Sequence, residues 1–401
     1  MTPPSHHALE LLRTKHILII GRFDTPTYHV SKFLLQHAHS VDMIKTSIQI
    51  DKALPFIQVS VGNTRIFRER YRIREPFSQY VANAFLRRTQ FIINYISICG
   101  FFVYYAVGHR TYDVVIGVGP LNGALASVYR LINKSVKTVY YAEDKIERNT
   151  NDLFGLVTYL SDLIARYMNH AIWVMSEIYI KEASKALMRK YSYVPIPIVP
   201  FSGKMDERKK KRRIVFLGSI AKEHGYDMLY KVFKRLIKIM PDLRLVIIGS
   251  GALARRFQDQ YTREGIADFI EYKGYIADND AILKIVSGSS VGVCLYNPRV
   301  YKNLAYGQSS KITNYISCGL PVILTGSKGN MPSLATYIQK YNAGYVLRYN
   351  QTDIYNGLKD ILTSKKTYRT MIKNVAKIPR FFDKRTHYMC AFDRLFSSTT
   401  I

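Results

Sequence analysis

The sequence predicts an α/β protein of two consecutive Rossmann-like domains facing each other across a cleft, and three observations carry that prediction. At 401 residues the chain is too long for one ordinary core, so two domains of similar size are expected. Short apolar runs alternate with helix-length segments, an order that builds parallel sheets with their ligand edge at the C-terminal ends of the strands. The alternation breaks at a proline-rich stretch and then starts afresh.

Taken in order, His16–Gly21 (HILIIG) is an opening strand that ends in glycine, Thr27–His39 reads as a helix and Ser40–Ile44 as a second strand. Arg65–Phe77 (RIFRERYRIREPF) interleaves arginines with Ile, Phe and Tyr. That pattern suits a half-buried strand with a charged outer face, or an interfacial segment that meets anionic lipid. The longest apolar run, Phe91–Gly108, carries Asn94, Ser97 and two glycines and is flanked by Arg87, Arg88, His109 and Arg110. Its length is at the lower limit for a span, so a buried or interfacial helix is expected in place of a transmembrane one. Tyr112–Pro120 is the next strand, with a glycine-rich exit into a helix over Leu121–Ile132. Lys137–Ala142 is a strand ending at Glu143 and Asp144, Asp152–Asn169 a long helix, and Ala171–Met175 a further strand.

Val194–Gly203 (VPIPIVPFSG) can continue neither element type, and Lys204–Arg213 (KMDERKKKRR) has linker character. The fresh start is Ile214–Gly218 (IVFLG), followed by strands at Leu243–Gly249, Ile270–Tyr272, Val291–Tyr296 and Pro321–Leu324. The expected organisation is therefore an N-terminal domain over residues 1–203, a C-terminal domain over 204–380, and a last helix over 381–401 that crosses back to the N-terminal domain. Within the second domain, Ser309–Thr325 (SSKITNYISCGLPVILT) reads as a helix with Lys311, Asn314 and Tyr315 near one another, then a glycine turn and a buried strand. A polar helix start feeding an apolar strand is what a nucleotide-binding domain presents at its ligand edge.

Lys and Arg number 58 against 29 acids, a net charge of +29, which draws the protein to polyanions or phosphate-bearing substrates. The four cysteines lack paired spacing, which argues against a disulfide framework or a zinc site and suits a reducing compartment. Residues 1–13 lack the apolar core of a signal peptide. Together these favour a cytoplasmic protein held peripherally at an anionic membrane, and the 31 tyrosines suit that setting too. No nucleic-acid-binding motif accompanies the charge, so a basic nucleic-acid-binding protein is the weaker reading.

Neither half contains a P-loop, a G-x-G-x-x-G fingerprint, an H-E-x-x-H or a G-x-S-x-G. The C-terminal half instead runs through Phe216-Leu-Gly218, Lys222-Glu-His224-Gly225, Val246-Ile-Ile-Gly249-Ser-Gly251, Tyr272-Lys-Gly274-Tyr275-Ile276, and Lys311-Ile-Thr-Asn314-Tyr315 with Cys318-Gly319-Leu-Pro321. In that order and spacing it resembles the GT-B glycosyltransferases, especially family 4, the group 1 transferases. Ala171–Glu177, ending in Ser-Glu, looks like the corresponding strand of the family's N-terminal domain. A Lys followed three residues later by an amide is also similar to the xanthan-type glucuronosyltransferases.

The resemblance implies an enzyme that moves a sugar, a hexose above all, from a nucleoside-diphosphate donor, with no cofactor and no metal. It places the donor on the C-terminal domain: Gly218 and Ser219 near the diphosphate, Gly249, Gly251, Gly274, Tyr275 and Ile276 against base and ribose, Lys311 facing phosphate or another part of the donor, and Asn314 on the ribose hydroxyls. Lys222 and His224 would add to the cationic edge, with Arg299 and Lys302 as a second basic set. The family's usual pattern has Glu at the place of Asn314 and at that of Gly307, and Arg and Lys at those of Ser219 and His224. In the acceptor domain Glu143 is placed for a general base if the sugar inverts, and Asp144 for that role or for a helix cap. A retaining enzyme needs neither. The acceptor expected is a lipid-linked glycan or glycolipid; a GT-B-like partner subunit without catalysis is the alternative.

Overall fold

The computed structural model describes the chain except for residues 1–5, 22–24, 46–55, 64–65, 75–95, 97–98, 101, 103, 105–110, 149–152, 203–211, 277, 302, 328 and 398–401. Two compact units result. One comprises Met1–Ile196 with Lys384–Ile401, the other Pro197–Asp383. The division thus falls inside the proline-rich stretch, ahead of the charge run, which lies outside the described residues except for Arg212 and Arg213.

The first unit is a sheet of eight strands: β1 His16–Gly21, β2 Ser40–Lys45, β3 Phe56–Asn63, β4 Ile66–Arg74, β5 Val114–Val118, β6 Lys137–Ala142, β7 Ala171–Val174 and β8 Tyr191–Tyr193. Their order is β4-β3-β2-β1-β5-β6-β7-β8. β1 lies parallel between β2 and β5, and its apolar run is buried on both faces of the sheet. The chain departs from the expected all-parallel pattern at β3 and β4, an antiparallel hairpin that extends the sheet beyond β2. Only residues 64–65 separate these two strands, too few for the crossover that parallel pairing demands. The arginine-rich segment is accordingly the edge strand β4.

On one face, Ile17, Ile19, Phe33, Trp173 and Val194 share a core with Tyr388, Phe392 and Leu395 of the last helix, Lys384–Ser397. Tyr388 stacks on Phe33 with ring centres 4.8 Å apart, and Arg394 donates to the Tyr191 carbonyl at 2.5 Å. The last helix is therefore part of the first unit's core. The other face carries the Pro120–Ile132 helix and Phe102. Of the apolar run Phe91–Gly108, only Ile96, Cys99, Gly100, Phe102 and Tyr104 are described, all helical. Phe102 is buried against Tyr129, whereas Ile96 and Tyr104 are exposed. Among the described residues no helix is long and apolar enough to cross a membrane.

The second unit is a six-stranded parallel sheet of β9 Arg213–Leu217, β10 Arg244–Ile248, β11 Ile270–Tyr272, β12 Val291–Cys294, β13 Val322–Thr325 and β14 Gly344–Leu347, in the order β11-β10-β9-β12-β13-β14. The Ser310–Ser317 helix is locked onto it by Tyr315, which is fully buried. The Tyr315 hydroxyl accepts from Leu217 N (2.9 Å) and donates to the Val293 carbonyl (3.1 Å), so one side chain bridges the ends of β9 and β12. Gly292 makes room for it, because a methyl group there would lie 2.2 Å from the tyrosine ring. Removing the hydroxyl leaves a buried amide and a buried carbonyl without that partner. Tyr315→Phe should therefore destabilise the protein by about 1–3 kcal/mol in chemical denaturation, and Gly292→Ala should cost more, since backbone and ring must both shift. A Tyr315→Phe variant as stable as the parent would show that the bridge carries no weight.

Candidate functional site

In the second sheet the chain runs from β9 outward to β11 and then returns to the other side of β9 for β12. The crevice beyond the C-terminal ends of β9 and β12 is thus the point where the topology reverses, and open α/β sheets bind ligands at such points. Tyr315 holds the Ser310–Ser317 helix over this crevice. One turn earlier on the helix, Lys311 reaches back across the end of β9.

Gly218, the residue after β9, lets the lysine pass. Its φ of 125° suits glycine alone, and a methyl group there would lie 2.4 Å from Lys311 Cε. Lys311 Nζ ends 3.1 Å from His224 Nδ1 and 5.3 Å from the centre of the Tyr296 ring. Tyr301 lies against both His224 and Tyr296, with ring centres 6.3 Å and 5.3 Å away. Among the described residues no carboxylate forms an ion pair with Lys311.

Burial pushes the Lys311 pKa below the ordinary lysine value, partly opposed by Cys294 and Glu223. Burial and the adjacent Lys311 push His224 down to about 3, so the imidazole is neutral at physiological pH. An ammonium only donates. His224 Nδ1 therefore accepts, and the ring proton sits on Nε2. At the start of the same helix Ser309 holds the capping position, but its hydroxyl accepts from the Tyr296 phenol (2.9 Å) and makes no bond to the first-turn amides. A cation with no ion-paired carboxylate among the described residues thus stands beside a helix N-terminus without a side-chain cap, an arrangement suited to an anion.

The other donor-side residues named from the sequence sit on the same rim. Gly218 N donates to the Ile248 carbonyl (2.9 Å), Ile220 N to Ser250 (2.9 Å), and Gly249 N to Gly274 (2.7 Å), which ties together the exits of β9, β10 and β11. Gly251 packs its backbone against Ile220. Ser219 and Lys222 are exposed on the loop after β9. Tyr275 is 66% exposed, while Ile276 turns partly into the apolar cluster beneath the rim. Asn314 is half-buried, three residues along the helix from Lys311. Arg299 is exposed, and Lys302 lies outside the described residues.

Glu143 and Asp144 belong to the first unit. Glu143 follows β6 with its carboxylate against Gly119, the residue that opens the Pro120–Ile132 helix. Asp144 is exposed in a bend well ahead of the next described helix, Leu153–Met168, so it caps no described helix. Sequence reasoning missed Tyr296 and Tyr301, which flank Lys311 and His224, and Ser309, to which the Tyr296 phenol donates. The signal available was two tyrosines just past a buried strand, at the edge where ligands sit.

Residues 201–378 match the family described as "Glycosyl transferases group 1". No curated protein matches the chain. Among solved structures, the Escherichia coli protein described as trehalose-6-phosphate bound with UDP-2-fluoro glucose is 11% identical over 96% of this chain and 99% of its own, with a TM-score of 0.67. HepE from Anabaena in complex with UDP is 11% identical over 95% of this chain and 100% of its own, with a TM-score of 0.64. A trehalose-6-phosphate phosphatase N-terminal domain from Candida albicans is 10% identical over 96% and 97%, with a TM-score of 0.70. These likenesses speak for the fold, and the family match speaks for the class of the second unit. Residues 201–378, nearly the whole of the second unit, thus match the group 1 glycosyl transferase family, and the chain as a whole shares the two-domain GT-B fold of these solved structures.

Proposed function

We propose that the protein transfers a sugar from a nucleoside-diphosphate donor, held at the rim of the second unit, to an acceptor carried at a membrane surface. The observation that carries the donor half is Lys311, a half-buried cation with no carboxylate partner among the described residues, beside an uncapped helix start. As the sugar leaves, negative charge accumulates on the departing diphosphate. Lys311 and the first-turn amides would stabilise that charge without having to reorganise. Neutral His224, through Nδ1, fixes the lysine's direction. Asn314 would offer its amide to the ribose diol in place of a carboxylate, which makes the hydrogen bonds weaker than a charged group would. HepE and the Escherichia coli relative, both seen with UDP or a UDP sugar, make UDP the first nucleotide to try. The acceptor half rests on the net charge of +29 and the basic and apolar segments of the first unit, which fit an anionic bilayer bearing a lipid-linked glycan or glycolipid.

Calorimetric titration with UDP and GDP, followed by transfer and hydrolysis assays over a panel of nucleotide-sugars, tests the donor half. Lys311→Ala should weaken binding of the preferred nucleotide at least tenfold while Tyr275→Ala, at an exposed position, has the smaller effect. Equal affinity in Lys311→Ala and the parent would remove the donor site from this rim. Donor binding without turnover on any sugar or lipid-linked acceptor would instead mark a non-catalytic subunit.

Nucleotide affinity should also depend on pH in a definite direction. A bound diphosphate raises the pKa of Lys311 above its depressed value in the free protein. Affinity is therefore full below the free-state pKa and is lost as pH rises toward and through the bound-state value, by at most about tenfold per pH unit. The same titration in Lys311→Ala, which carries any contribution from the nucleotide base itself, should be flatter on the alkaline side. Parallel profiles in parent and variant would contradict the assignment.

A further inference from the structure

The Leu153–Met168 helix of the first unit is amphipathic in the wrong sense for a helix lying on a sheet. Its buried positions are Gly155, Ser161, Asp162 and Ala165. Asp162 is held there by the Tyr140 hydroxyl (2.6 Å) and Arg166 (2.6 Å). Leu153, Leu160, Ile164 and Tyr167 recur at helical spacing on the opposite side and are 49%, 47%, 43% and 61% exposed. The neighbouring Pro120–Ile132 helix, joined to it where Asn169 donates to the Gly123 carbonyl (2.9 Å), adds Leu131 and Ile132, 67% and 48% exposed. Apolar side chains from two adjacent helices thus form one outward face, and exposed apolar patches of this kind mark interaction sites.

The charge around the face identifies the occupant. At the C-terminal ends of both helices Arg130 donates to the Met168 carbonyl (3.1 Å) and Lys190 to those of Tyr167 (2.7 Å) and Asn169 (2.9 Å). Lys137 belongs to the same group, since Arg130 depresses both its pKa and that of Lys190, after burial. The one acid on the Leu153–Met168 helix is the buried Asp162. A second copy of this chain would bring another +29 to a face already rimmed by cations. An anionic bilayer supplies both the apolar layer and the opposite charge.

We propose that the outward face of the Pro120–Ile132 and Leu153–Met168 helices is the surface by which the protein docks on an anionic membrane, with Leu160, Ile164 and Tyr167 entering the headgroup–acyl boundary and the Arg130–Lys190 end meeting lipid phosphates. The proposal rests on the reading of a membrane-held acceptor and names the face that serves it.

Co-sedimentation of the full chain with phosphatidylglycerol–phosphatidylcholine vesicles, at low and high salt and against phosphatidylcholine alone, tests it. The parent should bind the anionic vesicles, less at high salt, and Leu160→Asp/Ile164→Asp should lower its partition at least tenfold while leaving UDP affinity unchanged. Binding by the double variant equal to that of the parent overturns the face while leaving a membrane-held acceptor standing. No binding by a parent that still binds UDP overturns both the face and the membrane reading, and spares the donor site. Leu160→Trp gives a readout that tolerates any loss of stability in the double variant: its fluorescence should be quenched by brominated phosphatidylglycerol, and absence of quenching in the vesicle-bound protein overturns the proposal. So does a parent dimer that the Asp substitutions dissociate while vesicle binding persists, because a second copy would then be the occupant.

Discussion

The two hydrogen bonds of the Tyr315 hydroxyl govern the donor-side architecture. By joining Leu217 at the end of β9 to Val293 near the end of β12, they bridge the two strands between which the sheet's order reverses. They also set the rotation of the Ser310–Ser317 helix, because a side chain anchored at one position of a helix fixes the direction of those one turn away. With Tyr315 turned inward, Lys311 can only run along the crevice past Gly218, and Ser309 comes within reach of Tyr296. The glycine at position 292 is the counterpart of the tyrosine across the interface. The residues at these positions form one mutually dependent unit.

The electrostatics at this rim run against ordinary stability. A half-buried ammonium with no carboxylate ion-paired to it among the described residues loses hydration, and its neighbour His224 cannot share charge, being neutral and itself a hydrogen-bond acceptor. The Tyr296 ring and an imidazole nitrogen offset part of that loss. An arrangement of this kind gains most when an anion arrives, so stability given up in the empty protein becomes affinity for phosphate. The contrast with Arg166 is instructive: that cation, also partly buried, sits on Asp162 within a tyrosine network and is committed to holding a helix in place.

Most strands of both units were legible because a parallel sheet buries its strands on both faces and writes them as short continuous apolar runs, such as HILIIG and KTVYYA. The hairpin of β3 and β4 was not, since a strand pair at a sheet edge mixes polar and apolar residues without a helix to mark the crossover. β8 and β14 are short, and a run such as YSY carries too little pattern to separate it from a loop. At the site, Lys311 and the glycine turns stood out because backbone geometry and charge leave a residue-type signature. The enclosing tyrosines did not, since in a chain so rich in tyrosine a ring that lines a site looks like one that fills a core. The inverted polarity of the Leu153–Met168 helix was hidden for a similar reason: the helical period is visible in the sequence, but which face meets the sheet is decided by where Tyr140 and Asp162 find each other.

The first unit is discontinuous, and this bears on how the molecule comes to be assembled as it is synthesised. Its core is completed by Tyr388, Phe392 and Leu395, contributed after the whole of the second unit has been made. The second unit is continuous and can close as soon as its own strands have left the ribosome, whereas Phe33 and Trp173 wait for partners more than half the chain away. Until residues 384–397 arrive, the sheet of the first unit keeps an apolar face uncovered, in a form prone to aggregation. The later half of the polypeptide is thus expected to reach its native state first, a reversal of the usual N-to-C order of domain maturation that makes the final helix the last and slowest contact to form.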